Sequence, residues 1–448
     1  MAAVGVRERR AEAPPSIQAS NWRVVQIDSV FIGIVTAAGT FLPVFLLRLG
    51  ASGNDLGLLT ALPALTAFLL AIPLGRWLQS RRNIVPWYSR LRLAAWSSYA
   101  VMAVVAAVLP REQAIPLMLA VWALASLPST AGLVAFPMVM DGAAGPGGRF
   151  DLLGRRWAIA GVSTAISVAI GGQFLNALPF PTNFEVLLVV VSVAGIGSYL
   201  QSSRILIPDQ VPAPGATGAP IGRRVRELWR LVVANRAFTA YELRAFVYTA
   251  SLGLAMPILP LFYVHEVAAT DAWIGIIGAA ISAGGVLGYL GARQLARRRS
   301  GRLALLPSLF AMAAAPAILA FVDWLPAVAV ISFVIGVASA GAQLAMFDAF
   351  MHRIPPEHGV TFSSVDQSLQ NFALVVAPSV GGILAVAVGA REALLVVGAV
   401  GFLALALFAL ERREGTSRRR QNPGREVARG AIHPGTGPPD AKRPSGPL

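Results

Sequence analysis

The sequence predicts an all-α membrane protein of twelve transmembrane helices, built as two six-helix bundles. Three observations predict it. The first is composition: of 448 residues, 56% are hydrophobic and only 13% charged, with a mean hydropathy of +0.65. A chain this poor in polar surface cannot close as a water-soluble globule. The second is run length. Apolar stretches of about twenty residues or more match the length a helix needs to cross a bilayer, whereas barrel strands would need segments of about ten with period-two alternation. The third is self-similarity. Phe41 to Arg82 reads FLPVFLLRLGASGNDLGLLTALPALTAFLLAIPLGRWLQSRR, and Ile258 to Arg302 restates its plan, with Pro260 for Pro43, Gly275 for Gly57, Gly291 for Gly75 and a second arginine cluster. In an apolar chain, a repeat of this size indicates duplication into two equivalent membrane bundles.

Taken in order, residues 1–22 are polar and proline-containing and read as an N-terminal tail. The first apolar run, about 23–47, is too long for a cleaved leader and contains Asp28, so it is expected to stay in the mature protein. Runs follow at about 55–76, 86–109, 114–138, 157–178 and 184–203, completing an N-terminal bundle over 23–203. Residues 204–238 form a linker whose first part, IPDQVPAPGATGAPIG, is rich in proline and glycine. In its second part Val225, Leu228, Trp229 and Val232 recur at helical spacing while Arg223, Arg226 and Arg230 take other faces. That pattern fits either a helix lying on an anionic leaflet or a solvated charged linker. Six further runs, at about 239–264, 273–293, 303–322, 326–348, 363–388 and 392–411, make the C-terminal bundle over 239–411. The tail, 412–448, has almost no apolar residues and cannot bury a core, so disorder is expected there.

Orientation follows from the loops, because Arg and Lys are retained on the cytoplasmic side during insertion. One set of loops holds only Arg48, Arg111 and Arg391. The other holds clusters at Arg7/Arg9/Arg10, Arg76/Arg81/Arg82, Arg149/Arg155/Arg156, Arg223/Arg224/Arg226, Arg293/Arg297/Arg298/Arg299 and Arg418/Arg419/Arg420. Both termini are therefore expected in the cytoplasm, with the protein multi-pass in the inner (cytoplasmic) membrane. The net charge of +15 is accounted for by these anchors rather than by a nucleic-acid partner, and Lys442 is the only lysine. The chain has no Cys, hence no disulfide, thiol nucleophile or Cys-based metal site.

Several of these loops and helices resemble the signatures of the major facilitator superfamily (MFS) of secondary transporters, over about 20–411. Gly75-Arg-Trp-Leu-Gln-Ser-Arg-Arg82 stands where the family has Gly, three residues, Asp and then basic residues, with Gln79 at the acid's position. Gly291 to Arg299 stands at the equivalent place in the second half and also lacks the acid. Gly148-Arg149 and Pro356-Glu-His-Gly359 resemble the family's loop signatures before the fifth and eleventh helices. Ala377-Pro-Ser-Val-Gly-Gly382 is similar to its Gly-Pro-x-x-Gly-Gly pattern, whereas Ser167-Val-Ala-Ile-Gly-Gly172 in the fifth helix lacks the proline that accompanies exporting antiporters. The resemblance implies the MFS fold: two bundles of nested inverted repeats, a solute site near the midplane, and alternating access by rocking of the halves.

Candidate site residues fall into three groups. Asp28 lies about one and a half turns into the first helix, where a charge needs a cavity or a partner, and is the candidate proton-coupling group; pairing with Arg23 or contact with water is the alternative. Glu242 and Arg244 enter the seventh helix at similar depth and could pair locally. The family's cavity-lining helices carry polar stripes at three-or-four spacing: Trp122, Ser126 and Ser129; Arg244, Tyr248 and Ser251; Ser332, Ser339 and Gln343. These are the expected substrate contacts, although membrane-helix serines also serve as packing residues. Asp366, Gln367, Gln370 and Asn371 share one helical face and, with Gly75, Gln79, Arg81 and Arg82, form the expected cytoplasmic gate by the family's pattern; interhelical hydrogen bonding is the alternative.

Other chemistry finds little support. There is no GxxxxGK[ST] sequence, so no nucleotide-driven transport is expected, and no Ser/His/Asp or paired-carboxylate set points to an enzyme. His352 and His358 flank prolines that break helical register, so no metal or other cofactor is expected. The sequence thus predicts a monomeric secondary transporter whose partners are a small-molecule substrate, the lipid bilayer and protons. Its apolar interior leans to efflux of a hydrophobic or amphiphilic compound; uptake, or a transporter-like scaffold without flux, is the alternative.

Overall fold

Each apolar run folds as a helix, as backbone groups in hydrocarbon must be satisfied within their own segment. A computed structural model describes residues 15–145, 148–209, 234–298, 302–351, 353 and 359–421. In it the elements are α1 (Pro15–Leu49), α2 (Gly53–Gln79), α3 (Val85–Val108), α4 (Arg111–Ala144), α5 (Arg149–Ala177), α6 (Thr182–Ser202), α7 (Arg236–Leu261) continued by a π-turn (Phe262–Glu266), α8 (Asp271–Arg298), α9 (Arg302–Leu319), α10 (Leu325–Met351), α11 (Gly359–Val388) and α12 (Ala390–Gln421). Eleven of these are long and apolar enough to span a membrane; the apolar part of α9, Leu305–Leu319, is shorter. Residues up to Leu405 form one compact unit, and those from Ala406 a second, helical to Gln421 where described. The expected interfacial helix at 225–232, His352 and His358, and most of the N-terminal tail lie outside the described residues.

Several helices run past the hydrophobic stretches that announce them, because polar side chains anchor the extra turns. α1 begins at Pro15 rather than near Arg23. Its added turns are tied down by Gln18, which donates to the Ala144 carbonyl at 2.6 Å, and by Asn21, which exchanges two hydrogen bonds with the backbone of Leu206. α2 starts on a capping box: Ser52 accepts from the Asp55 amide, and the Asp55 carboxylate accepts from the Ser52 amide at 2.7 Å. Two orphan donors of the first turn are thereby satisfied.

Within the N-terminal half, α1 packs on α5 and α6, α3 on α4 and α6, and α2 on α4. Within the C-terminal half, α7 packs on α11, and α10 on α8 and α9. The halves meet through α2 with α11 and α5 with α8. Association of helices in lipid depends on close backbone approach and van der Waals contact rather than on a hydrophobic drive. The Gly284–Gly288 pair in α8 illustrates this. A Cβ on Gly284 would lie 2.2 Å from the Phe333 carbonyl of α10, and one on Gly336 of α10 would lie 2.1 Å from the Ile281 carbonyl, so the two backbones touch.

The sparsely basic side is stitched by its three arginines. Arg48 pairs with Asp271 at 2.7 Å and donates to the Ala269 carbonyl; Arg391 pairs with Glu266 at 3.0 Å and with Asp323; Arg111 lies 5.7 Å from the Phe180 ring. All three arginines of this face are thus held in local contacts.

Candidate functional site

The most charged feature inside the membrane is a buried cluster in the N-terminal half. Asp28 of α1 is fully buried and accepts from both terminal nitrogens of Arg92 on α3, at 3.0 and 3.1 Å. Ser198 of α6 bonds the same carboxylate and accepts from Arg92 at 2.6 Å, and the Tyr88 hydroxyl accepts from Arg92 at 2.9 Å. The guanidinium also lies 4.4 Å from the Trp96 ring. Three helices are therefore locked through one carboxylate, and bidentate geometry makes the pair strong and directional. Arg156 of α5, buried as well, stacks over Phe136 and Trp157 at 4.6 and 4.9 Å, with its Nε and Nη1 lacking hydrogen-bond partners. Arg156 is within electrostatic reach of Asp28, Tyr88 and Arg92, so the cluster holds two guanidiniums against one carboxylate. Asp28 thus has a built partner, Arg92. A signal in the sequence could have found it: Tyr88 and Arg92 sit four apart inside the third apolar run.

The polar stripes divide between packing and exposure. On α4, Trp122 donates from Nε1 to the Leu59 carbonyl of α2 at 2.8 Å, and Ser126 lies 2.6 Å from the Thr66 hydroxyl of α2, while Ser129 is exposed. On α7, Ser251 donates to the Val397 carbonyl of α12, Tyr248 is buried with no hydrogen-bond partner for its hydroxyl, and Arg244 is half-buried. On α10, Ser332 is fully buried, and Gln343 bonds Ser339 at 3.1 Å and the Tyr289 hydroxyl of α8 at 2.7 Å. Ser129 and Gln343 are the exposed members; Trp122, Ser126 and Ser251 are occupied by helix-to-helix bonds.

Among the described residues, no hydrogen bond or ion pair joins Arg81 or Arg82 to the polar face of α11. Arg81 is sandwiched between Trp77 and Trp87, 5.0 and 4.9 Å from their centroids, and Gln79 and Arg82 are exposed. Gly75 packs loosely against Val134. Across the molecule, Asp366 accepts from Gln370 at 3.3 Å, Gln370 also bonds Thr249 of α7, Gln367 is exposed and Asn371 half-buried.

Glu242 of α7 is the second buried acid, 4% exposed, and neither carboxylate oxygen has a hydrogen-bond partner. The local pairing with Arg244 that the sequence offered is therefore not made: residues two apart on a helix do not face each other.

The halves close on each other at the sparsely basic side through paired small residues. Gly57 of α2 lies against Pro378 of α11, where a Cβ would fall 2.8 Å from a carbonyl oxygen. Gly275 of α8 lies against Gly172 of α5, where a Cβ would fall 2.7 Å from a Cα. Gly57 and Gly275 are the equivalent glycines of the two repeats, so duplication has placed one contact on each flank of the seam. Gly53 meets Gly382 in the same way.

Comparison with known proteins agrees with this architecture. The family model for the Major Facilitator Superfamily matches residues 29–373 and again 243–443. The fold is similar to that of the nucleoside transporter NupG, with a TM-score of 0.62 at 13% identity over 88% of this chain and 99% of that one. It is also similar to a bacterial homolog of the human lysosomal transporter Spinster in an inward-facing, unoccupied conformation, with a TM-score of 0.61 at 13% identity over 90% and 98% of the two chains. No curated protein matches the chain in sequence. With its duplicated six-helix halves, its seam of paired glycines and a family match across most of its length, this chain belongs to the Major Facilitator Superfamily.

Proposed function

We propose that the protein is a secondary transporter that moves a small organic solute by alternating access, coupled to protons and working as an exporter of hydrophobic or amphiphilic compounds. The observation that carries the transport reading is the seam: halves joined at one face by glycine contacts can part there, and among the described residues the charged tie to be broken is Arg48 to Asp271. The inward-facing state of the similar Spinster homolog supports the same cycle. Both termini lie in the cytoplasm by the loop charges, and the exposed polar residues Ser129 and Gln343 with Ser339 are the proposed solute contacts. Gate closure would bring Asp366 and Gln367 to Arg81 and Arg82 once Arg81 leaves its two tryptophans.

Two buried carboxylates stand for the coupling step. Protonating Asp28 would release Arg92, which makes it a switch within the N-terminal half. Glu242 needs no pair broken, since an ionised carboxylate without a partner is far more costly in hydrocarbon than a neutral one.

Purified protein in proteoliposomes under an imposed pH gradient tests the reading. Movement of amphiphilic compounds out of the cytoplasmic compartment supports export, and accumulation of nucleosides, as the likeness to NupG suggests trying, would favour uptake instead. No flux across either set would leave a scaffold role and sink the transporter reading.

A further inference from the structure

The start of α1 builds a basic pocket that none of the proposed transport residues shares. Gln18, Ala19, Trp22, Arg23 and Gln26 of α1 and Arg155 of α5 line a cavity of about 480 Å³. Its lining holds two guanidiniums and two carboxamides and no acid. Arg23 and Arg155 are exposed and make no ion pair among the described residues; Arg155 lies 5.5 Å from the Trp22 ring.

Neighbouring helices fix the level of this pocket. α6 has 21 residues, about 30 Å of helix, which is the thickness of the hydrocarbon core. Asn21 donates to the Leu206 carbonyl at 2.7 Å and accepts from its amide at 2.9 Å, just past the end of α6. Residues 18–26 of α1 therefore stand where hydrocarbon gives way to headgroups, on the arginine-rich side. Below the pocket the same two helix faces turn apolar and stay exposed. Ile27 (48%) and Val30 (43%) follow Arg23 at helical spacing on α1, and Val162 (48%) and Ile166 (54%) follow Arg155 on α5.

We infer that this pocket binds one anionic phospholipid, its phosphate held between Arg23 and Arg155 and its acyl chains lying along Ile27, Val30, Val162 and Ile166. Guanidinium forks match phosphate oxygens in geometry and charge, Gln26 offers a further donor, and basic pockets at this depth favour anionic headgroups. The apolar lane selects a lipid over a free anion.

Native mass spectrometry of the full chain, titrated with phosphatidylglycerol and separately with phosphatidylcholine, tests this independently of transport. The wild type is expected to retain one phosphatidylglycerol in preference to phosphatidylcholine. The R23Q/R155Q double variant should bind it roughly 30-fold more weakly, about fivefold per guanidinium lost, and the R23K/R155K variant, which keeps the charge but not the fork, should fall between that variant and the wild type. Equal retention of the two lipids, or unchanged phosphatidylglycerol affinity in R23Q/R155Q, would overturn the inference. Displacement of the lipid by millimolar inorganic phosphate would also overturn it, assigning the pocket to the free ion.

Discussion

Replacing Asp28 by Asn leaves the Arg92 guanidinium inside the N-terminal half with no counter-charge. The pair is bidentate at 3.0 and 3.1 Å, its carboxylate side chain is fully buried and its arginine side chain is 8% exposed. At an effective dielectric of about 20, charges at this separation attract by roughly 5 kcal/mol. Neither Arg92 nor the nearby Arg156 can shed its proton, so Asp28→Asn creates two uncompensated buried cations rather than one neutral site. Removing one partner of a buried pair costs about 3–5 kcal/mol, and the estimate from distance falls in that range. The assay is a double-mutant cycle on detergent-dispersed protein unfolded by SDS: Asp28→Asn, Arg92→Met, and both together. Asp28→Asn alone should be the most damaging single change, and the double variant should recover part of the loss, because the buried Arg92 charge goes with its partner and only Arg156 is left without a carboxylate. A cost below about 1 kcal/mol for Asp28→Asn, or strict additivity of the two changes, would refute the reasoning, because it would mean that the carboxylate is solvated and the pair contributes nothing.

Three further outcomes are expected. Gly172→Val places a side chain where a Cβ alone would lie 2.6 Å from the Gly275 backbone, so the sparsely basic face should be held open. Because the native chain has no Cys, a single cysteine introduced near residue 57 reports this directly, and labelling from that face should rise in the Gly172→Val background. Glu242→Gln keeps the shape of the side chain but cannot titrate, so solute flux should lose part of its pH dependence; an unchanged pH profile would remove Glu242 from coupling. Arg48→Gln breaks a pair whose side chains are 29% and 13% exposed, so its stability cost should stay within about 1 kcal/mol, measured by the same SDS titration, while labelling of the face rises if the pair helps to hold it shut.

Much of the arrangement is legible in the sequence because the bilayer narrows the choices. Twelve apolar runs, a repeated Pro/Gly plan and a one-sided distribution of arginine need only composition and order to predict two helical bundles, and the packing role of Gly284 and Gly288 follows from their spacing. The candidate site was less legible. Spacing puts Trp122, Ser126 and Ser251 on faces that could line a cavity, but spacing cannot say which neighbouring helix a face meets, and all three are spent on bonds to α2 or α12. Arg81 looked like a gate cation by its place after the second helix, yet two tryptophans nearby offer it a cation–π sandwich.

By itself, then, the sequence determined how many times the chain can cross a membrane, that its second half restates its first, and that Asp28 and Glu242 are charges in costly places. Only the tertiary structure decided that Asp28 is answered by Arg92 from 64 positions away while Glu242 is answered by no hydrogen bond at all. The physical reason is that hydrophobicity and loop charge act on each segment separately, whereas the partner of a buried group is chosen by which helix faces pack together. Gly57 and Gly275 join the two levels: repetition identifies them as equivalent, and packing turns that equivalence into the two flanks of the seam between the halves.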